Sequence, residues 1–134
     1  MSPDLRDALA ASGRADRLLV ALDFDGTISP IVAVPSAARP VPGALDLMAR
    51  LASAPGTEVV LLSGRARHDL AAISGACEST TLIGSHGQEV GADLTLSPEE
   101  ASLLGDVQIR VAEAVGDIPG VRVEHKPAGL AVHV

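Results

Sequence analysis

Hydrophobic and polar residues follow one another along this chain in blocks that predict a repeated strand–helix order. Short apolar runs with the length of buried strands occur at 18–23, 58–62 and 81–85. Between them apolar residues recur every three or four positions, as in Leu45, Met48 and Leu51, which is the period of an amphipathic helix. Alternating strands and helices predict an α/β fold, with a Rossmann-like parallel sheet and right-handed crossovers.

The remaining segments of the first part complete this pattern. Helices are predicted for 3–12 and 66–73. The segment 28–41 is predicted to be a loop or flap, because prolines interrupt it at positions 30, 35 and 40.

The pattern changes after Gln88. Ser97 and Glu100 form a predicted capping box that opens a helix, although Gly105 is a point where this helix could break. The segments 121–126 and 130–134 then alternate like the two strands of a hairpin. A helix with a hairpin is an α+β arrangement. We therefore predict a core domain at 1–87 and the start of an α+β cap domain at 88–134, with the boundary near 87–93.

Two carboxylates follow the first strand directly. Open α/β sheets bind ligands at the carboxyl ends of their strands, and Gly26 allows the chain to turn sharply there. Asp23 and Asp25 would repel each other on one strand face, and a cation or a proton would relieve that repulsion. With Mg²⁺ on Asp23, that residue could attack phosphorus while Asp25 carries a proton for the leaving group. The alternative is a solvated Asp-Gly turn.

The next strand ends in Ser63-Gly64-Arg65, just ahead of a predicted helix. A hydroxyl, free N–H groups and the positive end of a helix suit a phosphate. Alternatively, Ser63 only caps the helix and Arg65 is a solvated charge. Because neighbouring parallel strands end at the same sheet edge, the acids and the anion-binding groups are expected to lie side by side.

Four segments, in order, resemble the trehalose-6-phosphate phosphatase family of the haloacid dehalogenase superfamily. They are 23–31 (DFDGTISPI), 63–65 (SGR), 84–89 (GSHGQE) and 123–133 (VEHKPAGLAVH). The resemblance implies that Asp23 is the nucleophile that forms an aspartyl-phosphate and that Asp25 is the general acid and base. It also implies that the Asp23 carboxylate and the Asp25 carbonyl hold Mg²⁺. The implied phosphate-binding residues are Thr27, Ser63 and Gly64, and the implied substrate-binding residues are Arg65, His86, Glu124 and Lys126.

The substrate-binding residues also have structural interpretations. His86 could be a core or turn histidine. Glu124 and Lys126 share a strand face and could form a solvated ion pair. His125 and His133 are interpreted as strand-surface residues.

The superfamily's third motif, a Lys or Arg, and its fourth, an acidic Gly-Asp-Asp cluster, do not occur in this sequence. Mg²⁺ affinity should therefore be poor. We expect an N-terminal portion of a longer Mg²⁺-dependent phosphatase acting on trehalose 6-phosphate, with core and cap both incomplete and with low or no activity alone. The alternatives are a phosphatase for another sugar phosphate and a catalytically silent sugar-phosphate-binding or regulatory module.

Composition narrows the choice of partner. The net charge of −7 argues against nucleic acid or an anionic membrane, and the single aromatic residue, Phe24, excludes a base-stacking platform. An anionic sugar phosphate must then be attracted locally, by Mg²⁺ and Arg65.

Cys77 is the only cysteine, so no intramolecular disulfide forms. Without a signal peptide or a long apolar run, the expected location is cytoplasmic. The oligomeric state stays open.

Overall fold

The chain folds into a four-stranded sheet with helices, followed by a long helix and a separate hairpin. A computed structural model describes residues 3–92 and 94–134. Within them the α-helices are α1 (Pro3–Ser12), α2 (Ala44–Ala52), α3 (Arg67–Ser74) and α4 (Pro98–Val115). The strands are β1 (Leu18–Asp23), β2 (Thr57–Leu62), β3 (Thr80–Gly84), β4 (Glu89–Val90), β5 (Arg122–Lys126) and β6 (Gly129–His133).

The first four strands form one sheet in the order β1-β2-β3-β4. β1 pairs with β2, and β2 with β3, in parallel, which confirms the predicted α/β fold. The register places Asp23 opposite Leu62, so the ends of β1 and β2 are neighbours. β4 pairs antiparallel with β3 and extends the sheet to Val90, past the predicted boundary at residue 87. The domain division stays a prediction, and Asp93 within its boundary region lies outside the described residues.

The hydrophobic core lies between this sheet and its helices. Its fully buried side chains include Phe24, Leu61 and Leu70, each with no exposed surface. Phe24 stands between the two aspartates, and its burial leaves Asp23 exposed and Asp25 half-buried on either side of it. Packing of one aromatic side chain therefore places both carboxylates at the surface, at the carboxyl end of β1.

The second part of the chain is held by local polar contacts. The predicted capping box of α4 is present: the Glu100 N–H donates to Ser97 Oγ (3.2 Å), and the Ser97 N–H donates to Glu100 Oε2 (2.8 Å). α4 continues through Gly105 without a break. β5 and β6 pair antiparallel, with Lys126 opposite Gly129, which confirms the hairpin. No helix among the described residues has the length and apolar character needed to cross a bilayer.

Candidate active site

Two adjacent clefts open at the carboxyl ends of β1 and β2. The smaller, of about 290 Å³, is lined by Asp23, Leu62, Ser63, Gly64, His86 and Gly87. The larger, of about 330 Å³, is lined by Asp25, Pro35, Gly64, Arg65, His86, Arg122, Glu124, Lys126 and His133. Gly64 and His86 line both clefts, so the two aspartates face neighbouring spaces separated by these two residues.

Asp25 forms a two-pronged ion pair with Arg65. Arg65 Nη2 lies 2.7 Å from Asp25 Oδ1, and Arg65 Nε donates to Oδ2 at 2.8 Å. The guanidinium also stacks over the Phe24 ring, 5.8 Å from its centroid. The hydrogen bond from Arg65 lowers the pKa of Asp25 and outweighs the opposing effect of burial. Asp25 is thus a carboxylate at neutral pH.

Ser63 closes the loop between β2 and α3. Its Oγ accepts the Arg65 N–H at 3.1 Å and donates to Asp25 Oδ2 at 3.4 Å. The residue that precedes α3 is Ala66, and no side chain caps the helix there. The alternative prediction, in which Ser63 only caps the helix, is therefore wrong. The 63–65 segment is hereafter called the phosphate loop, after the ligand that the sequence predicts for it. Through its contacts with Asp25 it joins the two sequence motifs at one place.

His86 lies directly over this loop. Ser85 (φ 48°) and His86 (φ 55°) both adopt the left-handed backbone region that side chains disfavour. A Cβ atom at position 64 would lie only 2.6 Å from His86 Nε2, so the glycine is what allows the imidazole to approach. Such an unfavourable turn against a cleft is typical of functional sites.

The β5–β6 hairpin supplies the opposite wall of the larger cleft. Lys126 Nζ donates to the Gly64 carbonyl at 2.8 Å. Glu124 lies 2.8 Å from His133 Nε2 and 3.6 Å from Lys126 Nζ. The hydrogen bond to His133 lowers the pKa of Glu124, and Lys126 adds to that effect. A polar strand face of the hairpin therefore reaches the phosphate loop.

The larger cleft favours an anion although the chain is acidic. It contains the basic side chains of Arg65, Arg122 and Lys126 against two carboxylates, and both carboxylates are paired with basic groups. The chain as a whole carries a net charge of −7. This cleft therefore has a local excess of positive charge that would attract a negatively charged ligand.

The trehalose-phosphatase family model matches residues 21–134, which is most of the chain. The chain belongs to the trehalose-phosphatase family. Curated relatives named trehalose-phosphate phosphatase include those of Mycobacterium leprae strain TN, 38% identical over 97% of this chain, and Mycobacterium ulcerans strain Agy99, 41% identical over 97%. The chain spans only 32% and 35% of the length of these two relatives.

Solved trehalose-6-phosphate phosphatases share this fold. The C-terminal domain of the Candida albicans enzyme superposes with a TM-score of 0.72 at 26% identity, over 96% of this chain and 46% of that one. The Aspergillus fumigatus enzyme gives a TM-score of 0.59 at 27% identity, over 93% of this chain and 48% of that one. The family relationship therefore rests on sequence and on backbone geometry alike.

The structure brings together most of the residues that the trehalose-phosphatase resemblance implied. Asp23, Ser63 and Gly64 share the smaller cleft, and Arg65, Glu124 and Lys126 line the larger one. Thr27 lies apart: it is exposed on the turn after Asp25, where its N–H donates to the Phe24 carbonyl at 3.4 Å, and it lines neither cleft. Its role in holding phosphate stays a prediction.

Sequence reasoning missed the positions of three polar residues at or behind this candidate site. Arg122 and His133 line the larger cleft, and the hairpin register could have revealed them, because residues 122, 124 and 133 share one face. Glu89 was quoted within a motif without a role, yet it is only 1% exposed and accepts several hydrogen bonds behind the site. An acid at the first position of a two-residue strand that was not predicted gives no sequence pattern that would indicate its burial.

Proposed function

We propose that the protein is a phosphatase that hydrolyses trehalose 6-phosphate to trehalose and phosphate. One observation carries the proposal: Asp23 and Ser63 line a single cleft at the ends of adjacent parallel strands. An exposed carboxylate beside a hydroxyl and backbone N–H groups suits a nucleophile facing a bound phosphate. Membership of the trehalose-phosphatase family supports the choice of sugar phosphate, and a cytoplasmic location belongs to the same proposal.

The proposed reaction proceeds in two steps. A carboxylate oxygen of Asp23 attacks phosphorus, the bond from phosphorus to the sugar oxygen breaks, and the sugar oxygen takes a proton from Asp25. A water molecule then gives its proton to Asp25 and attacks the aspartyl-phosphate, which releases phosphate and restores Asp23. Ser63 and the neighbouring N–H groups hold the phosphate oxygens in both steps.

The Asp25–Arg65 pair must open for this proton transfer. The paired carboxylate carries no proton, because the guanidinium favours its charged form. An incoming phosphate is a competing anionic partner for Arg65, whose side chain is only 17% exposed and already lies in the cleft. Substrate binding would therefore free the Asp25 carboxylate to take up a proton from solvent water, and this is the proton that it then gives to the sugar oxygen.

Mg²⁺ is the cofactor of this proposal. The exposed Asp23 carboxylate and the Asp25 carbonyl oxygen would hold it, and within the described residues that carbonyl accepts no backbone hydrogen bond. When bound, the ion would supply positive charge that keeps Asp23 ionised and attracts the phosphate. No group of three or more His, Cys, Asp or Glu side chains suited to a metal occurs in the described part of the chain. Water would therefore complete most of the coordination, as Mg²⁺ commonly requires.

The test is Asp23→Asn in the natural full-length protein, assayed for phosphate release from trehalose 6-phosphate with Mg²⁺ present. The amide cannot attack phosphorus, so we expect kcat/KM to fall by at least about a thousandfold. The melting temperature should stay within a few degrees, because Asp23 is exposed. Asp106→Asn, an exposed acid on α4, is the matched control and should retain activity.

A panel of other sugar phosphates in the same assay identifies the preferred substrate. Unchanged turnover in Asp23→Asn would contradict the proposed nucleophile. Wild-type protein that binds trehalose 6-phosphate without releasing phosphate would instead favour a silent binding module.

A further inference from the structure

Glu89 is a carboxylate buried behind the phosphate loop, with 1% of its surface exposed. Its Oε2 accepts the Ser85 hydroxyl at 2.6 Å and the Arg67 N–H at 2.9 Å. Its Oε1 accepts the Leu94 N–H at 3.4 Å. One side chain therefore connects the turn after β3, the first residue of α3 and the segment that leads towards α4.

The turn that Glu89 holds is the one that presents His86. Ser85 and His86 both have positive φ angles, so the turn needs support from its surroundings. The Ser85 N–H donates to the Arg65 carbonyl at 2.7 Å, and the His86 N–H donates to the Ser63 carbonyl at 3.2 Å. These bonds dock the turn on the phosphate loop, and the Ser85 hydroxyl on Glu89 fixes it from behind.

Glu89 also completes the start of α3. Ala66, the residue before the helix, has no side chain that could accept an N–H, and the Glu89 carboxylate accepts the N–H of Arg67 in its place. A negative charge at this end of a helix is favourable. The phosphate loop runs directly into this helix, so Glu89 fixes both the loop's exit and the histidine above it.

We propose that Glu89, acting through Ser85, is the positioning residue that holds His86 against Gly64 and so sets the affinity of the site for its phosphorylated substrate. This inference rests on the proposed phosphatase function. Burial raises the pKa of Glu89, but the hydrogen bonds from Ser85, Arg67 and Leu94 outweigh that effect and lower it. The side chain is therefore charged at neutral pH and accepts all of these bonds.

The test uses Glu89→Gln and Ser85→Ala in the natural full-length protein. Both keep the volume of the site nearly unchanged while weakening the support of the turn. Because His86 contacts the phosphate loop in both clefts, we expect KM to rise about tenfold in each variant with kcat changed less than about threefold. In a His86→Ala background, neither substitution should change KM further, since the residue that it positions is gone.

The matched control is Glu100→Gln. Glu100 also accepts a backbone N–H at the start of a helix, but on α4 and away from the clefts. It should lower stability slightly and leave KM unchanged. A rise in KM that persists in the His86→Ala background, or a loss of stability in Glu89→Gln and Ser85→Ala with no rise in KM, would overturn the inference.

A second readout does not require turnover. The chain has four histidines, and the ring signal of each can be followed by NMR after histidine labelling. Glu89→Gln and Ser85→Ala should shift the His86 signal and leave those of His125 and His133, on the hairpin, in place. The His68 signal does not enter the comparison, because His68 interacts electrostatically with Glu89. If the wild-type protein hydrolyses no sugar phosphate but this shift occurs, the proposed function fails and the positioning role stands. If His86 does not shift in either variant, the positioning role is wrong.

Discussion

The two walls of the candidate active site are built in different ways. They are the wall formed by β1, β2 and β3, hereafter the core wall, and the wall formed by the β5–β6 hairpin, hereafter the hairpin wall. The core wall stands on a packed core in which Phe24, Leu61 and Leu70 are fully buried. Among the described residues of α4, β5 and β6, by contrast, no side chain is buried. The hairpin wall reaches the site through polar contacts such as that from Lys126 Nζ to the Gly64 carbonyl at 2.8 Å.

Under the proposed function, this difference separates the residues of the chemical step from the residues that bind the sugar. The proposed nucleophile and the phosphate loop are placed by burial, which is worth about 1.5–3 kcal/mol for each large apolar side chain. The hairpin residues proposed to recognise the sugar are placed by hydrogen bonds, each with a net worth of about 0.5–1.5 kcal/mol. Damage to the core should therefore remove both stability and activity, whereas damage to the hairpin contacts should mainly weaken substrate binding.

Gly84→Ala, at the end of β3 in the core wall, should have the largest effect on stability and on activity. A Cβ atom there would lie 2.7 Å from Arg67 Cα and 2.9 Å from the Arg65 carbonyl oxygen, and backbone cannot move aside easily. We expect a loss of about 2 kcal/mol or more in the free energy of unfolding, because overpacking displaces the phosphate loop. Urea denaturation measures this loss, and phosphatase activity should fall with it.

Gly105→Ala is the matched control in α4, which lines neither cleft. Gly105 lies inside α4 with no atom within 4 Å of an added Cβ. Alanine there should raise the free energy of unfolding by up to about 1 kcal/mol, because glycine is a poor helix former. Equal losses of stability from both substitutions would contradict the contrast between the core wall and the second part of the chain.

The core wall was also the part that the sequence predicted well. The first strand was predicted at 18–23 and is found at Leu18–Asp23, because a short apolar run of this length favours a strand. The third was predicted one residue late, because Ser85 already belongs to the turn with positive φ. Side chains that contact across the fold were not predictable. The Arg65–Asp25 pair joins residues 40 positions apart and depends on strand register.

Lys126→Met tests the hairpin wall, where a substitution should affect substrate binding more than stability. The substitution keeps an unbranched side chain but removes the ammonium that contacts Gly64 and Glu124. We expect KM for the sugar phosphate to rise about tenfold, which is equivalent to about 1.4 kcal/mol. The free energy of unfolding should change by less than about 1 kcal/mol. Steady-state kinetics and urea denaturation separate the two effects.

Arg110→Met, at an exposed position on α4, is the control for loss of a positive charge. It should leave KM unchanged. A loss of stability in Lys126→Met as large as that in Gly84→Ala would show that the hairpin contact also carries the fold.

The pH dependence of the free energy of unfolding should distinguish two carboxylates that each accept an N–H at the start of a helix. These are Glu89, behind the phosphate loop, and Glu100, on α4. The pKa of Glu89 is lowered in the folded protein from an ordinary value of 4.5, so its contribution to stability is complete above that pH. As pH falls through the folded pKa the contribution is lost, because the unfolded chain binds the proton more readily. The difference in unfolding free energy between wild type and Glu89→Gln should thus be largest near neutral pH and shrink below about pH 4.5. Glu100→Gln should show a smaller difference that added salt reduces further, since Glu100 is exposed. If the difference in unfolding free energy between wild type and Glu89→Gln stays constant across the acid range, the charge of Glu89 contributes nothing to the stability of the fold.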